Sequence, residues 1–197
     1  MRRTAGLMLA AALCVGLAPP AAASTDPLDG ISIAPHQKHG GYHRAAFGTG
    51  WDNGTGCDTR DVILARDLVD VTTRGCKVET GILHDPYTGV DISFTRGEQT
   101  SAAVQIDHLV PLSYAWDMGA SQWPDDKRHQ FYSDPDELLA VSGKANDDKG
   151  DKAPGQWMPS NAAYDCEYDT RFVAVLRSYS LPIDPASAAA VRALPCG

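Results

Sequence analysis

The 197-residue sequence has no long hydrophobic run after its first two dozen residues, no basic excess, no C-x2-C pair and no internal repeat. Each absence narrows the class of protein. No segment beyond the N-terminal stretch approaches the roughly 18 consecutive apolar residues of a membrane-spanning helix. With 17 Lys and Arg against 25 Asp and Glu, a formal charge of −8, the chain lacks the basic footprint of a tight nucleic-acid binder. A polyanionic substrate would have to be met by a local basic patch, by a bound metal, or weakly. Without cysteine pairs at metal-ligand spacing and without a histidine close to them, a zinc site is disfavoured. No second domain boundary is visible, so one domain is expected.

What is present begins with an export signature. Arg2 and Arg3, the apolar stretch from Leu7 to Leu17 and the run Ala21-Ala22-Ala23 match the charged, apolar and cleavage regions of a secretory signal peptide. The expected organisation is a signal peptide over 1–23, an irregular arm over 24–56 and a domain over 57–197. Cys14 follows Leu13 rather than a small residue, which argues against a lipid anchor and for release to the extracellular medium. The mature chain then begins at Ser24, with a formal charge of −10 once Arg2 and Arg3 are gone. Four cysteines remain in it, Cys57, Cys76, Cys166 and Cys196, and in an exported chain an even count implies two disulfides. Of the three possible pairings, Cys57 with Cys76 and Cys166 with Cys196 is favoured, because each joins sequence neighbours and staples one end of the domain.

The arm is rich in Gly, Pro and His and shows no sustained period; His36, His39 and His43 could bind a transition metal, but a solvated flexible segment is the more ordinary reading. "CDTRDVILARDL" offers Asp58 or Thr59 as a helix cap followed by apolar residues at helical spacing. "KVETGILHDPYTGVDISF" alternates on either side of Asp85-Pro86-Tyr87-Thr88-Gly89 and reads as a β-hairpin, with Tyr87 a packing residue. "AAVQI" predicts a strand that ends at Asp107-His108, followed by Pro111, a short helix from Ser113 to about Met118 and a polar loop through "GASQWPDDKRHQFYSDPD". "ELLAVS" predicts the partner strand, and "KANDDKGDKAP" one or two helical turns stopped by Gly150 and Pro154. A helix capped by Asn161 and running to about Tyr179, and another opened by Asp184-Pro185, complete an α+β domain.

The central segment, "DHLVPLS" followed by "ELLAVSGKANDDKGD", resembles the HNH endonucleases, the ββα-metal nucleases, and shares the Asp-His-x-x-Pro and Asn-x-x-Lys layout found in RNA-guided DNA-cleaving effectors. It is closer still to the secreted HNH-family proteins of actinobacteria, whose domain also occurs in GmrSD-type restriction endonucleases. There the likeness covers most of the mature chain, including "CDTRDVIL", "DPYTG", "IDHLVPLSYAW", "NDDKGD" and Cys196. The resemblance implies a metal-dependent nuclease of DNA, with RNA as a second substrate class, leaving 5′-phosphate and 3′-hydroxyl ends.

The residue types suit that chemistry. Phosphodiester hydrolysis needs a base for water and a cation for the charge that develops on phosphorus-bound oxygens. His108, largely neutral near pH 7, is the candidate base. Asp107 and Asn146 offer hard oxygen ligands for a divalent metal, Mg2+ first and Mn2+ second. Because adjacent strand residues face opposite ways, the backbone is expected to leave the strand at the Asp107-His108 pair. Lys149 shares a helix face with Asn146 and is assigned to phosphate, with Arg128, Lys144 and Lys152 as further phosphate contacts. Residues 125–152 nevertheless carry five Lys and Arg against eight Asp and Glu, so modest, salt-sensitive affinity without sequence reading is expected. Where the HNH pattern has an Asn opening the second strand, this chain has Glu137, which leaves the holding of the loop open. Trp116, Trp123 and Trp157 read as packing residues before base-stacking ones, and His84 and His129 as peripheral. The rival class is a secreted, disulfide-stapled binding module in which Asp107-His108 only shapes a turn. Neither reading requires an obligate protein partner.

Overall fold

The structure, a computed structural model, describes residues 26–51 and 56–196; the signal-peptide assignment lies outside the described residues. In chain order these residues form α1 (Thr59–Asp67), β1 (Leu68–Arg74), β2 (Lys77–His84), β3 (Asp91–Thr95), β4 (Val104–His108) and α2 (Leu112–Asp117). Then come α3 (Asp125–Ser133), β5 (Leu138–Ser142), α4 (Gly143–Lys149), α5 (Asp165–Tyr179) and α6 (Pro185–Ala193). The α+β class is as the sequence implied. One antiparallel sheet has the order β1-β2-β3, and β4 pairs with β5 in a second.

Capping chemistry starts α1 and then ties it down. The Asp58 carboxylate accepts the Asp61 N–H at 2.7 Å, while buried Asp61 accepts the Val78 N–H of β2 at 2.9 Å and pairs with Arg96 beyond β3. Both disulfides form as expected: Cys57 joins Cys76 in the β1–β2 turn, and Cys166 near the start of α5 joins Cys196. In the β2–β3 turn the Asp85 carboxylate accepts the N–H and the hydroxyl of Thr88, and Gly89 takes the left-handed conformation that closes it. The same carboxylate accepts the Ser142 N–H at 2.8 Å, which docks the turn onto the junction of β5 and α4.

A two-stranded sheet is marginal alone, and here side chains complete its open edge. Leu138 C=O of β5 accepts from Arg66 and Arg171, and Ala140 N–H donates to Asp67. Ile106, Leu138 and Ala140 pack with α1 and the three-stranded sheet, whereas Leu139 and Val141 face Tyr87 and Tyr168. Helix α4 starts at Ser142, whose hydroxyl accepts the Ala145 N–H. Gly143 permits its close approach, since a Cβ there would lie 2.1 Å from the Ala102 carbonyl oxygen.

Several expectations need correction. The stretch read as a polar loop contains α3; its outer face is polar and only Phe131 and Tyr132 are buried, so no amphipathic period marks it. β1 was not anticipated because Leu68 is its single buried residue, and the strand is held by its irregular pairing with β2. The arm is irregular but docked: Leu28 and Phe47 enter the helical core, and Ile33 bridges to Ile183. His36 meets Asp117 at 2.9 Å rather than sharing a site with the other histidines. Asn161 stands at the N-cap of the 3-10 turn that leads into α5, as expected, but its side-chain amide donates to Pro86 C=O and makes no cap bond.

Candidate active site

The β4–β5 ladder runs through both residues of the pair, with Asp107 opposite Leu139 and His108 opposite Leu138. The Leu109 N–H still donates to Glu137 C=O at 2.9 Å, so the chain leaves the sheet only at Val110-Pro111, later than the sequence suggested. There the Val110 N–H donates to the Glu137 carboxylate, 3.1 and 3.2 Å from its two oxygens. Glu137 is fully buried, and burial pushes its carboxyl well above the usual range. It therefore clasps the loop itself, in a position that needs only an acceptor.

His108 is buried, and its Nε2 lies 2.9 Å from Tyr132 C=O. A carbonyl only accepts, so in the neutral ring Nε2 carries the hydrogen and Nδ1 keeps its lone pair. The ring stacks on Trp51 (centroids 5.8 Å apart, planes at 17°) and lies tilted against Tyr132. Burial lowers its pKa to about 3, which keeps the imidazole neutral across the physiological range.

Asp107 is held from two sides. Tyr87 donates its hydroxyl at 2.5 Å, and the Lys149 ammonium lies 2.9 and 2.8 Å from the two carboxylate oxygens. Lys149 is fully buried and also donates to His108 C=O at 2.8 Å. Its ammonium is thus engaged by the Asp107-His108 segment, and Lys149 is not among the residues that line the cavity beside that pair. Burial and the neighbouring Asp107 charge raise the Tyr87 hydroxyl well above its ordinary pKa, so it stays a donor. Sequence reasoning left Tyr87 as packing, although "DPYTG" was among the segments that carried the resemblance.

Asp107, His108 and Asn146 line one cavity of about 480 Å3. Asn146 donates its amide nitrogen to Gln105 Oε1 at 2.7 Å, which leaves its carbonyl oxygen as an acceptor. Tyr42 and Arg44, from the arm, also line it, and Arg44 is the one Arg or Lys among the lining residues. Its guanidinium lies over the Tyr132 ring, 5.4 Å from the centroid. Both were missed because the arm carries no periodic signal.

The other candidates lie elsewhere. Arg128 donates to the carbonyls of Ala46, Ala120 and Trp123 and pairs with Asp125, so it fastens α3 to the arm. Lys144 pairs with Asp148 at 2.8 Å, and Lys152 donates to Asp148 C=O at 2.5 Å; both are exposed and neither lines the cavity. Trp116 packs with Tyr42 and Phe47, Trp123 with Phe131 and Tyr179, and Trp157 with Tyr87 and Tyr168. His84 pairs with exposed Asp91, and His129 lines a different hollow.

Among the described residues no three His, Cys, Asp or Glu side chains converge as a metal cage. The donor chemistry still fits a hard divalent cation. A carboxylate has about four lone-pair sites, so Asp107 can accept from Tyr87 and Lys149 and keep capacity for an ion. Asn146 adds a neutral oxygen, and Mg2+ characteristically keeps several waters around one or two protein ligands.

In this disulfide-stapled α+β domain the strand-end pair Asp107-His108 and Asn146 thus meet in one polar cavity. Residues 58–184 match the family "GmrSD restriction endonucleases, C-terminal domain". The chain belongs to that family. It is also similar to an "Uncharacterized secreted protein" of Arthroderma benhamiae (strain ATCC MYA-4681 / CBS 112371), 32% identical over 180 residues that span 89% of this chain and 85% of the relative. No solved structure matches.

Proposed function

We propose that this protein is a secreted HNH-type endonuclease that hydrolyses phosphodiester bonds of DNA, and of RNA as a second substrate class, with little sequence selection. The observation that carries the reading is the meeting of Asp107, His108 and Asn146 in one cavity, in a chain of an endonuclease-domain family. His108 Nδ1 takes the proton of the attacking water, while the Tyr132 carbonyl holds the ring from the far side. A ring this hard to protonate accepts a proton best beside the negative charge of a bound phosphate, which favours the imidazolium. Asp107 and Asn146 would hold the divalent metal, Mg2+ or Mn2+, which when bound supplies positive charge to the phosphorane and the departing oxygen. Lys149 and Tyr87 fix the Asp107 carboxylate. Arg44, which lines the same cavity, binds a phosphate oxygen. The acidic balance of the rest of the chain limits backbone affinity and makes it salt-sensitive.

Plasmid cleavage by the oxidised, purified protein tests this, with Mg2+, with Mn2+ and with EDTA. Metal-dependent nicking is expected, and His108→Ala should lower its rate by about 10²–10⁴ while the variant stays folded. Inactivity of the wild type on DNA and RNA with both metals would return the protein to the class of binding modules.

A further inference from the structure

A second cavity, of about 550 Å3, lies between α5, α6 and the arm. Its wall is largely apolar, with Pro27, Val173, Val191 and Leu194, yet Asp169 of α5 also lines it. Asp169 is 3% exposed, and neither carboxylate oxygen has a hydrogen-bond partner among the described residues. A buried carboxylate without a partner is costly and needs a counter-charge. Burial and the nearby Asp165 carboxylate raise its pKa to about 6, so near pH 7 most of it is still ionised.

The two arginines of the wall are engaged otherwise. Arg177 donates to the carbonyls of Pro27 and Asp29, and Arg192 pairs with Asp26 at 2.5 Å. These contacts also fix where the chain enters: Asp26 is clamped by a cavity residue and Pro27 is part of the wall. A residue that lies two positions before Asp26 is at most about 7 Å of extended chain away. That residue is Ser24, the expected first residue after signal removal.

We propose that Asp169 is the counter-ion of the α-ammonium group created when the signal peptide is cut before Ser24. Hydrolysis of the Ala23–Ser24 peptide bond consumes one water and leaves a carboxylate on Ala23 and an ammonium on Ser24. Before the cut, the same nitrogen is a neutral amide and cannot balance Asp169. The cavity is then a receptor for the chain's own processed end, and processing stabilises the fold. The inference is independent of the nuclease reading.

The test compares thermal unfolding at pH 7 of chains that begin at Ser24, with the amino group free or acetylated, each with Asp169 or with Asp169→Asn. N-terminal sequencing of the exported protein is run alongside. Acetylation removes the charge without moving the chain start. The free-amine chain should unfold about 4 °C or more above its acetylated form, as one charge-assisted hydrogen bond in a chain of this length implies. Asp169→Asn should lower Tm in the free-amine chain and raise it in the acetylated one. Equal Tm for free and acetylated chains, the same shift from Asp169→Asn in both, or a natural start other than Ser24 overturns the proposal.

Discussion

Replacing Lys149 by Met tests the electrostatic logic of the active site. Met keeps most of the length and volume of the side chain, so little cavity forms, but the ammonium is lost from a fully buried position. Among the described residues Asp107 then keeps the Tyr87 hydroxyl as its one side-chain donor, and the His108 carbonyl loses its 2.8 Å donor. Breaking a buried pair from one side costs about 3–5 kcal/mol, which for a chain of this length corresponds to a fall in Tm of roughly 6–20 °C. Urea and thermal unfolding in EDTA measure it. Adding Asp107→Asn to Lys149→Met should recover much of the loss, because the stranded charge is then gone. If Asp107 also holds a divalent ion, 10 mM Mg2+ should raise the Tm of Lys149→Met more than that of the wild type, since the ion replaces the missing positive charge. A loss below about 1 kcal/mol, or simple additivity in the double variant, would refute the reasoning.

Arg44→Ala should raise KM for DNA with little change in kcat and reduce the log–log salt slope of binding by about 1; an unchanged slope would remove Arg44 from the phosphate. Glu137→Gln keeps an acceptor for Val110 and should cost less than about 1 kcal/mol. Glu137→Leu orphans that N–H and should cost about 1–3 kcal/mol and abolish plasmid nicking, so equal effects of the two substitutions would deny the clasp. In the acetylated chain the folded pKa of Asp169, about 6, lies above its unfolded value of 3.8, so the native state holds the extra proton. Its contribution to stability is therefore fully present below pH 3.8 and is lost as the pH rises through about 6, with a slope of up to about 1.4 kcal/mol per unit. Urea midpoints from pH 4 to 7 should show this slope, and Asp169→Asn should flatten it.

The residues legible in the sequence were those set by contiguous motifs. Asp107, His108 and Asn146 could be grouped because a strand, its partner and a short helix follow one another closely, and the two disulfides followed from sequence neighbourhood. Lys149 shows the limit: its spacing from Asn146 gives the shared helix face but not the depth. Lys144, five residues earlier, ends in solvent, whereas Lys149 ends on Asp107. Arg128 was drawn to the site by its charge alone, while its guanidinium answers backbone carbonyls that no local pattern reveals. Tyr42, Arg44 and Trp51 come from an aperiodic arm whose docking depends on contacts with distant residues, as between Ile33 and Ile183.

The stacking of Trp51 on His108 has a practical meaning for where the folded unit around the cavity begins. Similarity to the family starts at residue 58, downstream of Tyr42, Arg44 and Trp51. A recombinant fragment cut at that border would keep the Asp-His strand but lose Cys57, and with it the Cys57–Cys76 disulfide, and would leave the imidazole without Trp51 and the cavity without Arg44. The unit that the family match covers is therefore smaller than the unit that encloses the cavity, and residues upstream of residue 58 belong in any protein prepared for the cleavage assay.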